Sequence, residues 1–396
     1  MSDAPADPTA WFDAVDVPEL RARGGAKWTK YGESVLPAWV ADMDFPPAPP
    51  VSAAVQDVLR RGALGYPAMA EPNPVAEAFA AWAARRYGWA LDPSLLVVTT
   101  DVLQPLQALI QLFSEPGDGV VLQTPIYPPF IMATEGIGRR IVENPLGPAA
   151  DGYPMDLQGL AEVTDERTRI VLLCNPHNPS GRAFSRGELL GLAELAIERD
   201  WLVVSDEIHA DLLYPGATHI PFATLGPEVA ARTVTLTSST KTFNIAGLRL
   251  AVAVFGTQAM LERFRTIPRF LLGGSNAFGV AASIAAWRDG EAWLEALVRY
   301  LQANRERVVD TVNRRMPGVS TVTPEATYLA WLDCRELLAT GRADHAATFF
   351  LQQAGVGLND GADFGAAGEG FVRLNFATSR AVLDQVLERM VAACAG

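Results

Sequence analysis

The chain has 396 residues, of which 49% are apolar and 19% charged. That balance specifies an ordered protein with a large core and excludes disorder as its main state. Thirty-two Lys and Arg against 45 Asp and Glu leave a net charge of −13, which argues against wrapping a nucleic-acid backbone or docking on an anionic membrane.

Residues 1–10 are small, Pro-rich and acidic, without the basic and apolar runs of a secretion signal. No stretch reaches the roughly 18 apolar residues of a membrane helix. Residues 1–45 are expected to form an arm or cap joined to a smaller domain. Pro46-Pro47-Ala48-Pro49-Pro50 reads as a rigid connector.

From residue 46 to about 285, brief apolar runs alternate with amphipathic stretches. The runs are 95–100, 120–123, 169–174, 201–205, 233–238 and 250–255. Their near-continuous Val, Leu and Ile content suits strands covered on both faces. Helical patterns fall between them, for example at 103–113 and 186–199. This alternation predicts a large α/β domain with a mostly parallel central sheet. Residues 286–396 read as a smaller α+β C-terminal domain. It comprises a long helix over 291–315 stopped by Pro317-Gly318, short strands over 328–332 and 372–376, and a last helix over 380–394.

Cys174, Cys334 and Cys394 lie far apart with no CxxC, so a disulfide scaffold is excluded and a reducing, cytoplasmic setting is expected. Cys174 is expected to be a buried strand residue. Four scattered His residues offer no zinc pattern, and no metal is expected.

In parallel α/β sheets ligands collect at the carboxyl ends of strands. Four post-strand segments therefore stand out. Lys241, in Ser238-Ser239-Thr240-Lys241-Thr242-Phe243-Asn244, is placed either to form a Schiff base or to sit solvated in a turn. Asp206 follows an apolar strand, where it would meet a cation or cap a helix. Asn178, in Asn175-Pro176-His177-Asn178-Pro179-Ser180-Gly181, either donates to a ligand or completes a turn. Arg373, inside Phe371-Val372-Arg373-Leu374-Asn375-Phe376, needs an anion, either a substrate carboxylate or an internal acid.

Together these segments resemble the fold-type I pyridoxal-phosphate enzymes of the aspartate aminotransferase superfamily. Within it the chain is most similar to the cystathionine β-lyase, or C–S lyase, branch typified by bacterial MalY and PatB proteins. The resemblance runs from about Lys27 to the C-terminus. It rests on Lys27-Trp28, Leu36-Pro37-Ala38-Trp39-Val40-Ala41-Asp42-Met43-Asp44-Phe45, Gly65-Tyr66-Pro67 and Thr124-Pro125-Ile126-Tyr127-Pro128-Pro129-Phe130. Further along it rests on the Asn-Pro-His-Asn-Pro turn, Ser205-Asp206-Glu207-Ile208-His209-Ala210-Asp211, Lys241-Thr242-Phe243-Asn244-Ile245-Ala246-Gly247-Leu248, Ala354-Gly355-Val356-Gly357-Leu358-Asn359-Asp360-Gly361 and Arg373-Leu374-Asn375-Phe376-Ala377.

The resemblance implies pyridoxal 5'-phosphate as cofactor. Lys241 would bind it covalently and then act as acid and base at the substrate Cα. Asp206 would pair with the ring nitrogen, Asn178 would donate to the ring's phenolic oxygen with His209 nearby, and Tyr127 would stack on the ring. Ser238 and the backbone amides of Val102 and Leu103 would hold the phosphate. Tyr66 would reach the cofactor phosphate of a neighbouring subunit, which implies a homodimer with shared sites. Arg373 would clamp the substrate carboxylate, helped by the backbone near Ala41. Two positions depart from much of the branch. Asp101 stands where a Gly is common, and Arg249, eight residues after Lys241, is a phosphate ligand in many aminotransferases.

The expected activity is β-elimination from L-cystathionine or a related cysteine S-conjugate, giving thiol, pyruvate and ammonia. A class I/II aminotransferase uses the same residues and stays open, as does a catalytically silent binding protein of the same fold. Arg265 and Arg269 could reach a second substrate carboxylate or lie on the surface.

Overall fold

Six apolar runs and one partly charged edge strand form one sheet, and their residues alternate between two faces that helices then cover. The computed structural model describes residues 8–67, 72–268 and 271–396. The sheet order is Leu96–Thr99, Ala251–Phe255, Thr233–Thr237, Leu202–Asp206, Thr168–Cys174, Gly119–Leu122 and Arg140–Glu143. The last five run parallel, whereas Ala251–Phe255 is antiparallel to both of its neighbours. The three central strands Thr233–Thr237, Leu202–Asp206 and Thr168–Cys174 are buried at every position except Arg169.

Helix Leu103–Phe113 lies on one face, with Leu106, Leu109 and Ile110 fully buried against Val120, Leu122 and Leu172. Helix Arg186–Glu198 covers the other face through Leu189, Leu192 and Ala196, packed with Val171, Leu173 and Val203. A complete capping box fixes its start: the Ser185 hydroxyl accepts from the Glu188 amide, and the Glu188 carboxylate accepts from the Ser185 amide at 2.8 Å.

The expected Pro46–Pro50 connector is corrected in part. Pro49 and Pro50 open helix Pro49–Arg60, because a first helical turn has no use for the missing N–H and is suited by proline's fixed φ. That helix packs on Ala277–Asp289, which also covers Pro74–Tyr87.

Beyond the 25-residue helix Glu291–Arg315, a four-stranded antiparallel sheet runs in the order Asn359–Asp360, Phe371–Asn375, Leu329–Asp333, Ser320–Thr321. The N-terminal arm joins this region. Leu36–Pro37 pairs in parallel with Val356–Gly357, and Phe12 packs edge-on against Phe45 and Trp293. No helix among the described residues is long and apolar enough to cross a membrane.

Candidate active site

Parallel strands bring their carboxyl ends to one edge, so residues distant in sequence converge there. Cys174 and Asp206 end adjacent strands and face each other in register. Ser238 follows the next strand and caps the short helix Ser239–Thr242 that carries Lys241. A cleft of about 780 Å³, open mouth included, lies at this edge. Of the residues singled out in the sequence, Ala41, Asp101, Val102, Leu103, Tyr127, Cys174, Asn178, Asp206, His209, Ser238, Lys241 and Arg249 line it, whereas Arg373 lies behind Asn178.

Lys241 does not point into bulk water. Its Nζ donates to the Ala41 carbonyl at 2.8 Å. The arm is held in place for this contact by two asparagines. Asn375 Nδ2 donates to the Val40 and Asp42 carbonyls at 2.7 and 2.6 Å, and Asn244 Nδ2 donates to those of Met43 and Phe45 at 3.0 and 2.8 Å. Burial pushes the Lys241 amine below the ordinary lysine range, since the charged form is the one that loses water. Asp42 and Asp206 oppose that shift, and Arg373 adds to it. The solvated-turn alternative is thereby removed.

Asp206 is 4% exposed, and burial pushes its carboxyl up to about 7. The Ile208 amide donates to it at 3.1 Å and offsets part of that rise. Neighbouring Glu207 raises it further, and Lys241 pulls it down. A buried acid so placed is short of a cation. His209 is buried with its Nδ1 unpartnered, and burial holds its imidazole down to about 3, so the ring is neutral.

Asn178 and Arg373 meet: Arg373 Nη1 donates to Asn178 Oδ1 at 3.0 Å, which commits the acceptor end of the amide. Arg373 Nη2 donates to Asn359 Oδ1 at 2.7 Å and the Trp39 carbonyl at 3.0 Å. Its Nε has no partner, and among the described residues no carboxylate pairs with it. Burial brings this guanidinium down to about 10. The internal-acid alternative does not hold, and the arginine is a buried cation without an anion. Tyr127 is half-buried at the cleft wall, with its phenol raised by burial.

Asp101 and Arg249 explain each other. Asp101 Oδ1 accepts from the Gln104 amide at 2.9 Å, capping helix Leu103–Phe113, while Oδ2 is ion-paired with Arg249. Ser238 is already engaged, donating to the Leu250 carbonyl at 2.6 Å and accepting from the Thr240 amide at 3.0 Å. Tyr66 lies outside the cleft. It is fully exposed beside a groove between helices Pro49–Arg60 and Ala277–Asp289. Arg265 is exposed and does not line the cleft, and Arg269 falls outside the described residues.

One residue the sequence did not single out is Tyr328, whose hydroxyl donates to the same Ala41 carbonyl at 2.9 Å. It sits inside an apolar run, where a buried tyrosine gives no signal of its partner.

With this geometry in place, comparison with known proteins decides the family. The sequence matches the model for aminotransferase class I and II over residues 40–390. The chain belongs to that family. It is 38% identical to the cystathionine β-lyase PatB of Bacillus subtilis, over 93% of this chain and 96% of that one. Its fold superimposes on the crystal structure of OvoB with a TM-score of 0.91 at 37% identity, covering 97% and 98% of the two chains. The pyridoxal-phosphate-bound C–S lyase of Staphylococcus hominis gives a TM-score of 0.89 at 31% identity, over 97% and 98%.

The residues present fit pyridoxal phosphate. The cleft holds a desolvated amine for its aldehyde and a buried acid lacking a cation for its ring nitrogen. It also holds a helix N-terminus and Arg249 at the end where a phosphate would lie.

Proposed function

We propose that this enzyme is a pyridoxal-phosphate-dependent carbon–sulfur β-lyase acting on L-cystathionine or a related cysteine S-conjugate, with thiol, pyruvate and ammonia as products. The observation that carries the reading is a lysine held at the Ala41 carbonyl and a buried acid lining the same cleft. Nearly full-length similarity to proteins named for this activity supports it.

When bound, the cofactor supplies an electron sink for negative charge developing at the substrate Cα. The protein's own groups do the rest. Asp206 would pair with the ring nitrogen and favour its protonated form. Arg373, bonded through Nη1 to the cleft residue Asn178, would orient the substrate carboxylate. The Lys241 amine, whose charged form burial disfavours, takes the proton from Cα. Breaking the Cβ–S bond then releases a thiolate, which the same lysine, now an ammonium, can protonate, and hydrolysis of the released enamine by one water gives pyruvate and ammonia. Tyr127 and the neutral His209 wall the site against water.

We also infer a cytoplasmic homodimer. Three buried free cysteines suit a reducing compartment. The exposed Tyr66 at one groove, with exposed Leu59 and Leu64 near it in sequence, suits a subunit contact that presents Tyr66 to a second cleft.

Incubating the holoenzyme with L-cystathionine and no keto acid tests the activity. Pyruvate and free thiol formed in equal amounts are expected. Product formation that requires an added keto acid would instead make the enzyme an aminotransferase.

A further inference from the structure

Two donors from the second half of the chain converge on one oxygen of the N-terminal arm. The Ala41 carbonyl accepts from Lys241 Nζ at 2.8 Å and from the Tyr328 hydroxyl at 2.9 Å, filling both of its lone pairs. Tyr328 is 1% exposed and stands edge-on to His209, ring centres 6.0 Å apart.

The residue before it is strained. Thr327 is fully buried with φ 67°, a conformation that a β-branched residue rarely adopts. Three hydrogen bonds hold it there. Its amide donates to the Leu212 carbonyl at 2.7 Å, its carbonyl accepts from the Tyr214 hydroxyl at 2.6 Å, and its hydroxyl accepts from the Leu329 amide at 3.1 Å. Leu212 and Tyr214 follow the loop that carries Asp206 and His209. The strained turn therefore fixes the start of strand Leu329–Asp333 against that loop.

We propose that Tyr328 is a positioning residue, which by sharing the Ala41 carbonyl sets where the free Lys241 amine rests and how strongly its ammonium form is held. The electrostatic sense follows from the geometry. A hydroxyl donating to this oxygen places the positive end of its dipole beside the ammonium and takes part of the acceptor's electron density. Both effects weaken the carbonyl's hold on the charged amine. The other charged and titratable groups facing the amine are Asp42 from the arm, Asp206 and His209 from the loop after the central strand, and Arg373 from the small sheet. None of these touches the Ala41 oxygen, so removal of the Tyr328 hydroxyl isolates its effect.

The inference rests on Lys241 being the cofactor-binding amine, and the test separates the two. Apoenzyme is mixed with pyridoxal phosphate across a pH series, and the rate of imine formation is followed by absorbance. Only the neutral amine reacts, so the wild-type rate rises with pH through a midpoint. In Tyr328→Phe the Ala41 oxygen keeps Lys241 as a partner, so no buried acceptor is orphaned. Its midpoint is expected to move to higher pH, by about half a unit or more, a threefold loss of rate on the rising limb. Site-specific replacement of Tyr328 by 3,5-difluorotyrosine, a stronger donor, is expected to move the midpoint the other way, and covers the case in which the Phe variant does not fold. Variants that change the rate without moving the midpoint would overturn the role of Tyr328. A wild-type apoenzyme that forms no imine would overturn the reading of Lys241 itself.

Discussion

Asp101 and Arg249 are ion-paired across 148 residues of sequence at the mouth of the helix that would receive the cofactor phosphate. An acid at that place competes with the phosphate for both the helix N-terminus and the arginine. Asp101→Asn keeps a capping side chain but removes the charge. We expect it to tighten cofactor binding by roughly three- to tenfold, the scale of a partly exposed charge at a helix end. Arg249→Ala is expected to weaken binding. Fluorescence titration of apoenzyme measures both, and equal affinities in all three proteins would show that the pair lies away from the phosphate.

Lys241→Ala removes the only lysine amine that lines the cleft among the described residues. We expect turnover to fall by at least about a thousandfold. The fold should survive, since the Ala41 carbonyl keeps Tyr328 as a donor. Steady-state pyruvate release and a thermal melt of the same preparation check the two halves of this expectation separately.

Asp211 is a buried junction. It accepts from Trp82 Nε1 at 3.0 Å, from Thr242 Oγ1 at 3.0 Å and from the Tyr87 hydroxyl. It thereby ties helix Pro74–Tyr87 to the turn bearing Lys241. Asp211→Ala leaves three donors without an acceptor and is expected to cost about 3–5 kcal/mol. Chemical denaturation measures the loss, and one below about 1 kcal/mol would mean that the junction is dispensable.

Asp206 makes apoenzyme stability depend on pH. Its folded carboxyl sits at about 7, above the ordinary value of 3.8. Between those limits the folded state binds the extra proton, so its contribution is full below pH 4 and is lost as pH rises to about 7. The loss approaches about 1.4 kcal/mol per unit as an upper scale. Apo Asp206→Asn lacks this dependence. Relative to wild type it is expected to gain stability on going from pH 5 to pH 8, and denaturation curves at the two pH values decide it. Cofactor binding should reverse the order, because the ring cation favours the ionised acid.

What the sequence disclosed and what it hid have physical reasons. Strands such as Thr168–Cys174 and Leu202–Asp206 were legible to within a residue because burial on both faces demands unbroken apolar side chains. Strand Arg140–Glu143 escaped notice: it is an edge, with only Val142 buried between charged residues. Helices at residues 103–113 and 291–315 were legible at both ends, since amphipathic period and stop signals agree. Lys241, Asp206, Asn178 and Arg373 could be singled out because polar groups at strand ends stand out against apolar runs. Their mutual contacts could not, nor could the Asp101–Arg249 pair or the Tyr328–Ala41 bond, because each joins residues more than a hundred positions apart.

The parallel pairing of Leu36–Pro37 with Val356–Gly357 bears on how the protein is made. The carbonyl on which Lys241 rests belongs to a segment translated before the central sheet, yet its docking strand leaves the ribosome more than 300 residues later. The nascent arm must wait, and the amine acquires its resting place only in the final stage of folding. A chain halted short of its C-terminal strands could complete the central sheet and still lack a working centre.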